Sequence, residues 1–465
     1  MRRPNLVFIM SDDHASHAIG AYGSRINRTP HLDRIAEAGM RFDACFCTNS
    51  ICTPSRAAVL TGTYNHVNGV TTLDTPMDNT LVTYPKLMQE AGYQTAIFGK
   101  WHLGHGPAHD PTGFDDWAVL PDQGLYHDPD FHTPGGRLVV EGYATDIITD
   151  MSLEWLEERD PDRPFALMIH HKAPHRPWEP DDAHASMYED EHIPEPESFW
   201  DDYEHRATAA RVAEMRMMDL NEVDLKQPVP DGLSHDAEVA WRYQRYIKDY
   251  LRVVASIDDN VGRVLDWLDD AGLTDDTIVV YTSDQGFFLG DHGWFDKRFM
   301  YEESLSMPLL VRYPPVVREG TECGEMVLNV DFASTFLDLA GIEVPAHMQG
   351  TSFAPLLAGE TPPDWQQAMY YRYWMHQDRD HNVWAHYGVR THRHKLICYY
   401  NEPLGQPGAR GPSSPPEWEL FDLESDPFEM RNVIDQPRYE ETVRGLRRLL
   451  GELQAACGDE PIAGV

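Results

Sequence analysis

Short, mainly apolar runs of buried-strand type recur at residues 5–10, 95–99, 165–170 and 277–283, and the last three follow amphipathic stretches at 84–91, 146–158 and 241–271. Strands buried on both faces read as near-continuous apolar runs, so the alternation predicts a parallel sheet covered by helices on both faces. In such sheets ligands lie outside the carboxyl ends of the strands. Each run here ends in a chemically loaded cluster. Asp12 and Asp13 follow the first, Lys100 and His102 the second, His170, His171 and His175 the third, and Asp284 and Gln285 the fourth. The clusters are expected to meet in space.

Two segments break the rhythm. Residues 176–226 are rich in Pro, Asp and Glu before turning helical, which predicts an insertion forming a lid or substrate wall. Beyond about residue 361 the pattern changes to aromatic-rich runs at 368–374, 385–390, 395–400 and 417–421. A Gly/Pro-rich loop occupies 403–416 and a helical stretch 439–456. The expected architecture is α/β: a main domain over 1–360 with a large, mainly parallel sheet, and a C-terminal subdomain over 361–465 with an antiparallel sheet and one helix.

Composition narrows the partners. Of the 465 residues, 76 are Asp or Glu against 38 Lys or Arg, a formal charge of -38, so the general surface repels nucleic acid and anionic membranes. An anion must find a local basic pocket. Cysteines 45, 47, 52, 323, 398 and 457 have no spacing of a disulfide framework or a closed zinc site. Met1-Arg2-Arg3-Pro4-Asn5 leads into an apolar run too short for a signal peptide core, and no run approaches the roughly 18 apolar residues of a membrane span. A cytoplasmic protein without membrane partners is expected.

The pentapeptide Cys52-Thr53-Pro54-Ser55-Arg56 places a cysteine at a predicted helix start, with Thr53 as cap, Pro54 opening the helix over 55–61, and Gly62 closing it. A helix N-terminus favours an anionic nucleophile and an anionic substrate, and Arg56 adds a full charge one turn on. A buried structural cysteine is the alternative. Asp12, Asp13, Asp284 and Gln285 offer hard oxygen ligands, which suit Ca²⁺ or Mg²⁺ better than zinc. Lys100, His102, His175 and Lys297 add donors and proton carriers able to hold a tetrahedral oxyanion.

With these motifs in place, the chain resembles a sulfatase of the alkaline-phosphatase-like superfamily. Residues 5–14, 29–61, 99–104, 173–178, 283–297 and 418–432 each look like a sulfatase block in the expected order. The resemblance implies that a formylglycine-generating enzyme oxidises Cys52 to formylglycine. It also implies a metal beside it on Asp12, Asp13, Asp284 and Gln285, with residue 52 as a further ligand; Ca²⁺ is expected, with Mg²⁺ or Mn²⁺ as alternatives. Gln285 stands where Asn is frequent but supplies the same carbonyl. One hydroxyl of the hydrated aldehyde would attack sulfur, and His102 would deprotonate the other to expel sulfate. His175 would protonate the leaving alcohol, and Lys100 and Lys297 would neutralise the sulfate oxygens.

Within the family, residues 170–178 and 287–303 look most like carbohydrate sulfatases, including the glucosamine-6-sulfatase group. A small sulfated saccharide is therefore the expected partner, cleaved from its end, with 6-O-sulfated N-acetylglucosamine as first choice. Trp178, His292, Trp294, His376 and His386 are the candidate sugar contacts, although such residues also serve as ordinary packing. A phosphonate or phosphate ester hydrolase of the same superfamily is the nearest rival, and a non-catalytic polyanion-binding protein the rival of another class.

Overall fold

The structure is a computed structural model describing residues 3–462; Met1 and Arg2, part of the leader reading above, lie outside the described residues. In chain order the main-sheet strands are β1 (Asn5–Ser11), β2 (Met40–Phe42), β3 (Gln94–Lys100), β4 (Asp116–Leu120), β5 (Asp130–Thr133), β6 (Gly136–Val139), β7 (Phe165–His170), β8 (Thr277–Ser283), β9 (Leu309–Arg312) and β10 (Thr321–Cys323). They form one sheet in the order β10-β2-β9-β8-β1-β7-β3-β4-β5-β6. Its centre, β8-β1-β7-β3-β4, is parallel. Strands β9, β5 and β6 run antiparallel to their neighbours.

Every residue of β1, β3, β7 and β8 is buried, which requires a layer on each side of the sheet. The major helices are α1 (Pro30–Glu37), α2 (Cys52–Thr61), α3 (Tyr84–Glu90), α4 (Ala144–Glu158), α5 (His235–Asp270) and α6 (Asp331–Leu339). Helix α5 packs with α1 and α4, while α6 packs with α2 and α3 and brings Phe332 and Phe336 edge-on to Phe8 of β1. The 36-residue α5 begins six residues before the predicted stretch, because Ser234 caps it and Asp236 and Glu238 complement the dipole of its first turn.

The C-terminal sheet comprises β11 (Ala368–Tyr373), β12 (His386–Thr391), β13 (His394–Tyr399) and β14 (Glu417–Asp422), antiparallel throughout. Helix α7 (Glu440–Cys457) buries Leu446 and Leu450 in a core shared with Tyr370, Leu396 and Leu420. All six cysteines are free and buried. No helix among the described residues is long and apolar enough to cross a membrane.

Candidate active site

Strand register assembles the centre. Ser11 of β1 pairs with Ser283 of β8, so Asp12 and Asp13 leave the sheet beside Asp284 and Gln285. The Asp284 amide donates to Ser11 O at 3.1 Å, and Asp13 turns through a left-handed conformation (φ 74°) braced by Tyr250 Oη donating to its carbonyl. Gly99 of β3 pairs with His170 of β7. A side chain at Gly99 would meet His170 O at 1.9 Å, and its φ is 105°, so only glycine permits the turn that delivers Lys100.

Helix α2 supplies the remaining groups. It begins at Cys52 with Ile51 as cap, two residues earlier than the Thr53 cap expected, because Thr53 Oγ1 donates to His102 O at 2.8 Å instead. Pro54 fits in the first turn, where the missing N–H has no helical partner. Ser55 Oγ donates to Asp284 O, and Asn329 Nδ2 donates to Ser55 Oγ at 2.9 Å, locking the helix start onto the β8 end.

The charges converge around Cys52, whose Sγ lies 3.3 Å from Asp12 Oδ1. Arg56 Nε donates to Asp284 Oδ2 at 2.9 Å and its Nη1 to Lys100 O at 2.9 Å. Lys297 Nζ donates to Asp13 Oδ2 at 2.7 Å, and His175 Nε2 stands 3.7 Å from the same oxygen. Lys100 Nζ reaches Asp12 Oδ2 and, at 2.5 Å, Gln123 Oε1. Three acids thus face three bases in a buried space. Adding one divalent cation makes the centre positive, which suits an anionic ester in an otherwise acidic protein.

The residues fit a hard cation. Ligand oxygens of Asp12, Asp13 and Asp284 lie within 4.8 Å of one another, and Gln285 Oε1 is buried without a hydrogen-bond partner. The Gln285 amide directs its other terminal atom at Asp13 and Asp284; rotating it by half a turn places a carbonyl oxygen there, giving an all-oxygen set. The acids are mutually strained without such a cation. Burial, then the neighbouring Asp12 and Asp284 charges, raise Asp13 to about 7 against the pull of Lys297. Burial and Asp12 raise Asp284 to about 6. Asp12 is held well below the usual carboxylate range because Lys100, His175 and Arg56 outweigh its burial.

Burial, then the Asp12 carboxylate, push the Cys52 thiol up. The helix start does not make it a thiolate, contrary to the expectation from helix position alone. Unmodified, it is a poor nucleophile. Burial also holds His102 and His175 well below the usual histidine range, with Lys100 adding to the effect on His102. His102 Nδ1 is buried without a hydrogen-bond partner, as is Arg56 Nη2, which stands 3.9 Å from Asp12 Oδ1. His170 stands behind the centre: its Nδ1 meets Lys100 O at 3.2 Å and Arg56 Nη1 at 3.5 Å, and its ring packs on Phe8.

The five expected sugar contacts are corrected by packing. Trp178 is wholly buried, set edge-on to Tyr246 at 4.7 Å and against Phe287 and Phe295. Trp294 is sandwiched between Tyr203 and Phe299, at 5.3 and 4.9 Å. His292 is fixed by Asp201 at 2.9 Å, His376 accepts from the Ala385 amide, and His386 stacks on Phe299 and Tyr371. These are interior residues with their faces taken.

Sequence reasoning missed Gln123, the second partner of Lys100, which follows the unpredicted strand β4. It also missed the buried array behind Lys297. There Asp296 Oδ2 lies 3.2 Å from His381 Nε2, and Arg298 spans Asp296 and Asp378 at 3.3 and 3.8 Å. No spacing in the chain links residues 296 and 381.

Comparison with known proteins agrees with this geometry. Residues 4–342 match the sulfatase family, and residues 290–456 match the C-terminal region of N-sulphoglucosamine sulphohydrolase. An N-acetylglucosamine-6-O-sulfatase of Bacteroides thetaiotaomicron is 42% identical, over 98% of this chain and 87% of that protein. The N-acetylglucosamine-6-sulfatase of Homo sapiens is 28% identical, over 80% of this chain and 67% of that protein. A solved protein in complex with its substrate D-glucosamine-2-N,6-O-disulfate superimposes with a TM-score of 0.93 at 42% identity, covering 98% of both chains. The chain belongs to the sulfatase family, enzymes that hydrolyse sulfate esters.

Proposed function

We propose that the protein removes the 6-O-sulfate from a terminal N-acetylglucosamine or related glucosamine unit of a short saccharide. The observation that carries the reaction is Cys52 Sγ, 3.3 Å from Asp12 Oδ1 at the opening of α2, inside a ring of Arg56, Lys100 and Lys297. The 42% identity to a sulfatase of that specificity supports the sugar.

A divalent cation on Asp12, Asp13, Asp284 and Gln285, Ca²⁺ by first choice over Mg²⁺ or Mn²⁺, would supply the Lewis acid that polarises the sulfate. Formylglycine at position 52, made by a formylglycine-generating enzyme, would supply as its hydrate one hydroxyl for attack and another for sulfate release. Arg56, Lys100 and Lys297 hold and neutralise the sulfate oxygens. His102, with its unpartnered Nδ1 beside the helix start, is the base for the release step.

His175 is the acid for the leaving alcohol. Its Nδ1 lies 2.8 Å from Arg176 O, so Nδ1 carries the hydrogen and Nε2 faces the centre. An arriving sulfate anion supplies the charge that lets Nε2 take up a proton.

The test compares specificity constants for 6-O-sulfated N-acetylglucosamine, its 3-O-sulfated isomer and an aryl phosphonate monoester. Preference for the 6-O-ester is expected. Equal or better turnover of the phosphonate overturns the sulfate reading in favour of phosphorus chemistry, and preference for the 3-O-ester overturns the position.

A further inference from the structure

Lys172 is buried and makes no ion pair among the described residues; burial, then the Lys100 charge, lower its pKa to about 7 against the longer-range pull of Asp12, Glu179 and Asp13. Its ammonium sits 4.7 Å over the Tyr126 ring and donates to Arg176 O at 3.3 Å. Burying a charge without a counterion costs stability that an isosteric methionine would not. The partners of this charge explain its presence. Arg176 O is the same carbonyl that accepts the Nδ1 hydrogen of His175 at 2.8 Å. Tyr126, whose face takes the ammonium, donates its hydroxyl to the His175 carbonyl, and the His175 amide donates to Lys172 O at 3.1 Å.

Arg176 is itself anchored, its Nε donating to the buried Asp224 at 3.1 Å and its guanidinium lying over Phe295. His175 is therefore gripped through its ring nitrogen, its backbone amide and its backbone carbonyl, with Lys172 at the junction of all three.

We propose that Lys172, with Tyr126, is a positioning residue for His175. By fixing the Arg176 carbonyl and the 172–176 turn, it holds the imidazole with Nδ1 committed to the backbone and Nε2 directed at the leaving-group side of the centre. This inference rests on the assignment of His175 as the acid. Misplacing a proton donor by an ångström costs on the order of 100-fold where protonation is required and far less where the leaving group departs as a stable anion.

The experiment measures kcat/KM of the fully matured enzyme for a sugar 6-O-sulfate, whose alcohol needs protonation, and for nitrophenyl sulfate, whose phenolate does not. Lys172→Met is expected to lower the sugar-to-aryl ratio about tenfold or more. Tyr126→Phe, which removes one hydroxyl and keeps the ring, is expected to shift the ratio the same way by a smaller factor. Equal losses on both substrates in both variants reduce Lys172 to a structural role and overturn the proposal, as does an unchanged ratio. His175→Ala reports separately on the acid assignment: if it leaves the ratio unchanged, that assignment falls, and the role of Lys172 with it.

Discussion

His381, carried by the segment after β11, holds Nε2 3.2 Å from Oδ2 of Asp296, the residue preceding Lys297. Burial disfavours a charged His381, but the charge of the nearby Asp296 outweighs it and raises its pKa. Asp296 is thereby paired away from Lys297 Nζ, 4.0 Å distant, leaving that ammonium to Asp13 at 2.7 Å. The C-terminal region thus takes part in aiming the Lys297 ammonium at Asp13.

His381→Ala is expected to lower kcat about tenfold by letting Lys297 turn toward Asp296, and to destabilise the fold by about 3 kcal/mol by leaving Asp296 under-compensated. Activity per folded molecule and the melting temperature are measured together. A lowered melting temperature with unchanged kcat makes the contact structural only.

Cys52→Ala is expected to abolish turnover without unfolding, since the side chain packs at a helix start and makes only two weak contacts, with Asp12 Oδ1 at 3.3 Å and Gln285 Nε2 at 3.9 Å. Cys52→Ser supplies a single hydroxyl, so the serine sulfate ester should accumulate as the alcohol departs, visible as one added SO3 in the intact mass. Sustained multiple turnover by either purified variant sinks the formylglycine reading.

The centre was legible because it obeys two local rules. Strand ends bear the chemistry of a parallel sheet, and Asp12, Lys100, His175 and Asp284 each follow a mainly apolar run that needs no partner to be recognised. Strands β4 to β6 escaped because they are short: β4 has only a four-residue apolar run, Trp117 to Leu120, β5 is mostly half-buried and β6 is exposed along its whole length. Gln123 was lost with them. Trp178, Trp294 and His386 misled for the opposite reason: aromatic and imidazole rings look alike in sequence whether they line a pocket or stack in a core, and only packing separates the two.

Metal dependence follows from the donor set. Three carboxylates and one amide carbonyl, with no soft ligand other than the protonated Cys52, predict that chelation removes activity and that Ca²⁺ or Mg²⁺ restores it better than Zn²⁺. Chelation should also lower the melting temperature, because Asp12, Asp13 and Asp284 lose their common counter-charge. Full activity in a demonstrably metal-free preparation contradicts the assignment.

His386 makes stability depend on pH. Burial lowers its pKa to about 4 from an ordinary 6.5. The unfolded chain therefore binds the proton more readily, so this contribution is fully present above pH 6.5 and is lost as pH falls toward 4. At pH 5 the loss is about 2 kcal/mol. Unfolding free energies in urea at about pH 7.5 and pH 5 should differ less for His386→Phe than for the parent by that amount. An identical pH dependence in the two proteins excludes the burial argument.

Charge also bears on chain length of the substrate. With a net of -38, a long sulfated polymer meets repulsion along its whole length, whereas a short saccharide offers one sulfate to Arg56, Lys100 and Lys297 and little else. The burial of those three cations agrees with end-on entry, because an internal sulfate of a polymer would have to carry its flanking chain toward the acidic surface. The specificity constant for a sulfated disaccharide should exceed that for its parent polymer at low salt. The gap should narrow as salt screens the long-range field, because the pocket contacts are buried and screened less. A polymer that is the better substrate at low ionic strength would mean that the acidic surface faces away from the centre, and the end-acting reading would fall.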